Sequence, residues 1–195
     1  MALTLWEQFT LRALTARVVG EAMHQLIPGK WGFVTGKNYI CSSLVWGLGS
    51  TILSKDGGLT TIKTLALEPG EAPQPSFFED IDSVFLAFGG ESEAEQNYQW
   101  TLKSLQQLAK VGFEWDIFFH VRIWVPGFVE KALIADEAVA ELLVENPLLW
   151  TFTFDLEKGL FVIAQPHFTG DEIHLHPVKE IPITHQHLNL LKASL

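Results

Sequence analysis

The chain has little cysteine and little charge, and it has no long uninterrupted apolar run. Its single cysteine, Cys41, excludes an internal disulfide and fits a reducing compartment. Charged residues make up only 18% of the 195 positions, and bases are the scarcer sign, with 13 Lys and Arg against 23 Asp and Glu and a formal net charge of -10. A surface so poor in cations lacks the footprint that releases counterions from nucleic acid or holds an anionic lipid surface. Neither is expected as a partner, and a basic protein is the favoured complement. The longest stretch without charge, 38–54, is seventeen residues and includes two glycines and five Ser or Thr, too short and too polar for a spanning helix. Glu7, Arg12 and Arg17 interrupt the leucine-rich amino terminus, which lacks the apolar centre of a secretory leader. A cytoplasmic location is the expectation.

Motifs for chemistry are equally sparse. Ser42, Ser43 and Ser50 lack the GxSxG elbow of a serine nucleophile, and Cys41 sits in an apolar run where a raised pKa and inertness are expected. The glycine segments GKWGFVTGK and GLGS match neither the Walker spacing nor the dinucleotide fingerprint. No cofactor is expected. There is no internal repeat and no low-complexity tract.

What the chain does have is apolar and aromatic mass: 48% hydrophobic residues, with seven tryptophans and fourteen phenylalanines, enough for one sizeable core. Residues 3–27 carry Leu11, Leu14, Val18, Ala22 and Leu26 at helical spacing, ended by Pro28-Gly29. Residues 39–46 and 51–54 read as strands, with Asp56-Gly57-Gly58 as a hairpin turn into 59–67. The proline-rich stretch 68–76 is loop, and 83–88 is a short apolar strand. Ser92 and Glu95 have the spacing of a capping box for a helix carrying Tyr98, Leu102, Leu105 and Ala109, with Gly112 as its carboxy-terminal cap. Asp136 caps a further helix that Asn146-Pro147 ends, and 150–156 with 160–165 form a second hairpin. A short helix is expected near 188–193. The expected fold is a single α+β domain spanning 1–195. Its mostly antiparallel, mixed sheet is covered by the amino-terminal helix and two further helices.

The run FEWDIFFHVRIWV, 113–125, alternates for thirteen positions and predicts one long strand. Phe113, Trp115, Ile117, Phe119, Val121, Ile123 and Val125 form the set expected to be buried. Glu114, Asp116, Phe118, His120, Arg122 and Trp124 form the opposite set, half charged and half aromatic. Large aromatics within a polar surround suit a protein-binding patch. Glu114, Asp116, Phe118, Arg122 and Trp124 are therefore the candidate partner-binding residues, with acids of the 91–95 stretch assisting on-rate. The competing reading is that a second layer covers this face.

Five of the seven histidines fall within 167–187. In strands, His174 and His176 share a face, as do His185 and His187, so four imidazoles converge if the two segments pair, with Glu172 as a base. A metal-dependent hydrolase built on these histidines is the alternative reading, and a structural subunit of a larger assembly is a third.

Segment 83–113, SVFLAFGGESEAEQNYQWTLKSLQQLAKVGF, resembles the suppressor of fused-like family, whose members show a short apolar strand, a spacer, a tryptophan and a helix with LxxLA near its end. LLWTFTF at 148–154 and LFVIAQPHFTGDEIH at 160–174 look like the family's late hairpin followed by an acidic pair, and WGLG at 46–49 is similar to an earlier aromatic-to-glycine element. The resemblance covers about half the chain. It makes Trp100, Leu105, Leu108 and Ala109 helix positions and Asp171-Glu172 the acidic pair. It implies a non-enzymatic binding domain; bacterial members are associated with neutralising toxins as immunity proteins, and animal members with holding a transcription factor inactive.

Overall fold

The computed structural model describes residues 3–169 and 172–194. Its centre is one sheet of seven strands, β1 (Trp31–Gly36), β2 (Ile62–Leu67), β3 (Ser83–Ala87), β4 (Asp116–Phe119), β5 (Leu149–Asp155), β6 (Leu160–Thr169) and β7 (Glu172–Pro182). They lie in the order β2-β1-β3-β4-β5-β6-β7. The α+β class and the mixed sheet match expectation, but the antiparallel majority does not. The four pairings from β2 to β5 are parallel, and only β5–β6 and β6–β7 are antiparallel.

The parallel half arises because helices separate its strands, and a parallel pair needs such a crossover. The helices are α1 (Leu5–Leu26), α2 (Tyr39–Lys55), α3 (Ala94–Lys110), α4 (Val121–Trp124), α5 (Phe128–Ala135), α6 (Glu137–Glu145) and α7 (His185–Ala193). The expected strands at 39–46 and 51–54 are thus a single helix, and 56–58 ends that helix instead of turning a hairpin. Asn38 starts α2 by accepting the N–H of Cys41 at 2.8 Å. The buried positions Ile40, Cys41, Leu44, Val45, Leu48 and Ile52 then recur at helical spacing. Ile, Val, Thr and Trp favour strands locally, and with α1 on one side and the sheet on the other, α2 has none of the polar contrast that marks an amphipathic helix. Close approach to α1 depends on small residues: a Cβ added to Gly47 would lie 2.7 Å from the Ala16 Cβ.

Both faces of the sheet are covered. On one, Trp31, Phe33, Phe85, Phe118, Phe152 and Phe161 pack under α1, α2 and α7. Their rings run as a row across five strands, with centroids 5.2 Å apart for Phe85–Phe118 and 5.5 Å for Phe152–Phe161. On the other, Val34, Val84, Leu86, Ile117, Phe119 and Leu149 pack under α3, α5 and α6.

Capping follows the sequence only in part. Thr4 and Glu7 form a capping box on α1. The expected box at Ser92–Glu95 is absent, since Glu93 occupies the N-cap of α3 without a side-chain bond. At the other end of α3, Gly112 takes a φ of 61°, and Phe113 donates its N–H to the Leu108 carbonyl at 3.1 Å, the expected glycine cap. Asp136 caps α6 as expected, accepting the N–H of Val139 at 3.1 Å. β7, unassigned from sequence, is an edge strand carrying Pro177, Lys179 and Glu180, residues that discourage pairing with another chain.

Candidate functional site

The thirteen-residue run does not form one strand. Only Asp116–Phe119 joins the sheet, between β3 and β5, and the chain then turns at His120 into the single helical turn of α4. Alternation cannot reveal this, because Val121 and Ile123 remain buried in α4.

The five candidate residues consequently do not share a face. Phe118 is completely buried in the aromatic row beneath α1 and α2, as the competing reading expected. Asp116 is half-buried and accepts the indole N–H of Trp150 at 2.6 Å. Burial raises its pKa above the usual carboxylate range, against the opposing effect of that hydrogen bond. Trp124 is half-buried and stacks on Phe119 with centroids 6.1 Å apart. Arg122 is exposed on the side of α1 and α7, where its Nη2 donates to the Ser194 carbonyl at 3.3 Å. Glu114 alone lies on an open surface facing α6. Within the set expected to be buried, Trp115 and Val125 are exposed instead.

Glu114 lines an open groove of about 530 Å³ between the carboxy-terminal end of α3 and α6. Its floor is apolar, from Ala109, Phe113 and Leu142, with the exposed Ala138 at its edge, and its rim is acidic, from Glu114, Glu141 and Glu145. The glycine turn at Gly112 ends α3 and brings Phe113 and Glu114 to this edge. On the far side, Asn146 Nδ2 donates to the Trp115 carbonyl at 3.0 Å and ties the end of α6 to the segment leading into β4. The Trp115 side chain is 54% exposed and is not among the residues that line the groove. Glu141 and Glu145 are the members that sequence reasoning missed. The available signal was that Glu141 and Glu145 are four apart on one predicted helix and so share a face.

The histidines do not converge. His174 and His176 lie on β7, where the His176 ring meets His167 of β6 edge-on at 4.9 Å. His185 and His187 lie on α7 and not on a strand paired with β7. His187 is buried, with Nε2 3.1 Å from the Thr15 hydroxyl and its ring against Phe161, and burial pushes its pKa down to about 4. Among the described residues no group of three or more His, Cys, Asp or Glu is placed to hold a metal ion. Asp171 and the side chain of Glu172 lie outside the described residues.

Parallel sheets commonly bind ligands where the strand order reverses, beyond the carboxyl ends of the strands. Here that point lies between β1 and β3, and protein atoms fill it. Gly89 and Gly90, with φ of 135° and 69°, carry the backbone over the start of α2. A Cβ on Gly90 would lie 3.1 Å from the Cys41 sulfur and one on Gly89 2.6 Å from the Arg122 Cβ. The Cys41 thiol donates to the Gly89 carbonyl at 3.2 Å, and burial raises its pKa, as the sequence led one to expect. Ellman's reagent should therefore label native Cys41 far more slowly than the urea-unfolded chain. Equal rates would contradict this packing.

Among the described residues, no helix is long and apolar enough to cross a membrane. A protein-family model described as "Uncharacterized protein" matches residues 8–190, and the chain belongs to that family. No curated protein matches the chain.

Proposed function

We propose that this is a non-enzymatic protein-binding domain whose α3–α6 groove takes a basic segment of a partner. The observation that carries the reading is the pairing of an apolar floor with three rim carboxylates, Glu114, Glu141 and Glu145, in a chain of formal net charge -10. A lysine or arginine matches both parts, laying its aliphatic stem on Phe113 and Leu142 while its head meets the rim. Binding there would act by occlusion, with rim charges setting the encounter rate and apolar contacts the lifetime. Neutralisation of a toxin by such occlusion is the more specific form, and it rests on the suppressor of fused-like resemblance.

The test is affinity capture at low salt from the source cells, with the retained protein identified and its affinity then measured. Wild type should retain one basic partner that leaves as salt rises. A Glu114→Lys, Glu141→Lys, Glu145→Lys variant should bind it at least about tenfold more weakly, since like-charge juxtaposition across an interface is strongly unfavourable. Trp6, 78% exposed on α1 and away from the groove, should tolerate alanine with no loss of binding. Undiminished affinity in the folded charge-reversal variant would sink the proposal.

A further inference from the structure

On the opposite side of the sheet, under α1 and α7, a small cavity of about 30 Å³ is lined by Arg12, Thr15, His120, Arg122 and Ser194 against the rings of Phe152 and Phe161. It opens beside the carboxyl ends of β4 and β5, the edge of a parallel sheet where ligands gather.

Its electrostatics are unusual for this chain. Of the three arginines, Arg17 is exposed and pairs with Glu21 at 3.7 Å. The other two, Arg12 from α1 and Arg122 from α4, converge on the cavity. Although the chain has 23 carboxylates, none among the described residues forms an ion pair with either. Among the described residues, the Arg122 guanidinium donates only to the Ser194 carbonyl, and none accepts a hydrogen bond from the Arg12 guanidinium. Burial, then repulsion from Arg122, lowers the pKa of Arg12. His120 adds no charge: its Nδ1 lies 3.1 Å from the Phe88 carbonyl and 3.2 Å from the Arg122 N–H, bonding one or the other according to tautomer. Burial foremost, then Arg12 and Arg122, holds its pKa at about 3. Arg12 is half-buried and faces the exposed Arg122 across one space, an arrangement that an anion held between them would stabilise.

We propose that the Arg12–Arg122 cavity binds a small oxyanion, the phosphate or carboxylate head of a ligand whose body stays outside. The two guanidiniums present forked donors that match the paired oxygens of such a group. The size of the cavity, room for about two waters, admits a head group and excludes a nucleoside or sugar. The site is independent of the α3–α6 groove, since the two lie on opposite faces of the sheet.

Calorimetric titration of the protein with inorganic phosphate, and separately with acetate, at low ionic strength in a buffer free of both tests this. Saturable one-to-one uptake of at least one ion is expected. Phosphate alone would mark a phosphoryl ligand, and acetate alone a carboxylate. In either case Arg122→Gln should weaken binding at least about tenfold by removing a charge-assisted pair of donors, and Arg12→Gln should do the same. Arg17→Gln should change nothing. Arg122 is exposed, so its variant stays folded and informative even if Arg12→Gln unfolds the chain. No uptake of either ion up to tens of millimolar, or uptake unaffected by Arg122→Gln, would overturn the proposal and leave the arginines as structural residues.

Discussion

A Phe118→Ala variant should lose about 3–5 kcal/mol of stability, the range for removing a large buried aromatic ring from a core. Phe118 is the middle of the row that joins β3 to β5: it stacks on Phe85 at 5.2 Å and meets Phe152 at 6.3 Å, with helices closed over it. The cavity left by the ring cannot collapse, because its neighbours are strands held on both sides by hydrogen-bonded partners. Against a typical total of about 5–15 kcal/mol, such a loss brings a domain close to unfolding. Glu114→Ala, four residues earlier in the chain but exposed on the groove rim, should stay within about 0.5 kcal/mol of wild type. Urea denaturation of the two variants separates a core residue from a surface one. A Phe118→Ala loss below about 1 kcal/mol would mean that the aromatic row does not carry the packing described.

Acid should weaken the fold through its two buried imidazoles. Folding lowers the pKa of His187 to about 4 and of His120 to about 3, from an ordinary value of 6.5. His187 is lowered by burial alone, between Thr15 and Phe161. His120 is lowered by burial and by Arg12 and Arg122. A ring whose pKa is depressed by folding takes its proton more readily in the unfolded chain. Its contribution is therefore complete above about pH 6.5 and is lost as pH falls through the folded value. Each ring supports a slope of up to about 1.4 kcal/mol per pH unit inside its window, so His187 alone accounts for about 2–3 kcal/mol between pH 6.5 and 4. Asp116 works in the opposite direction, because burial raises its pKa. The measurement is therefore a difference: denaturant stability of wild type and His187→Gln at several pH values. Glutamine keeps a partner for Thr15 but does not titrate, so the variant's curve should be flatter across that window. Parallel curves would mean that His187 is not buried in its neutral form.

Neither effect is visible in the sequence, and both illustrate where local reading stops. In the 113–125 run, period-two alternation correctly places Ile117 and Phe119 together, yet it cannot say whether the alternate set faces water or a second helical layer. That depends on α1 and α2, which come from residues about 60–115 positions earlier in the chain. The same limit explains α2. Its β-branched and aromatic residues favour strand locally, and its helical state is stabilised by packing between α1 and the sheet.

The candidate groove was partly legible. Gly112 and Asn146-Pro147 announce the ends of α3 and α6, and Glu114 was singled out, but its true companions Glu141 and Glu145 lie on a different element from Asp116 and Arg122. The arginine cavity was not legible at all, since Arg12 and Arg122 are 110 residues apart and only the α1–sheet contact unites them.

By itself, the sequence determined the composition of the molecule and its locally encoded parts. These are an acidic, cation-poor chain with enough apolar mass for a sizeable core, the first and last helices, the capped ends of α3 and α6, and the β5–β6 hairpin. Each depends on residues close in the chain, where spacing and capping chemistry suffice. Tertiary structure alone decided the parallel order β2-β1-β3-β4-β5 and the burial of Phe118. It alone brought Glu114 to Glu141 and Glu145, and Arg12 to Arg122. Those outcomes depend on which distant surfaces cover one another, and burial is a property of the assembled layers that no local pattern contains.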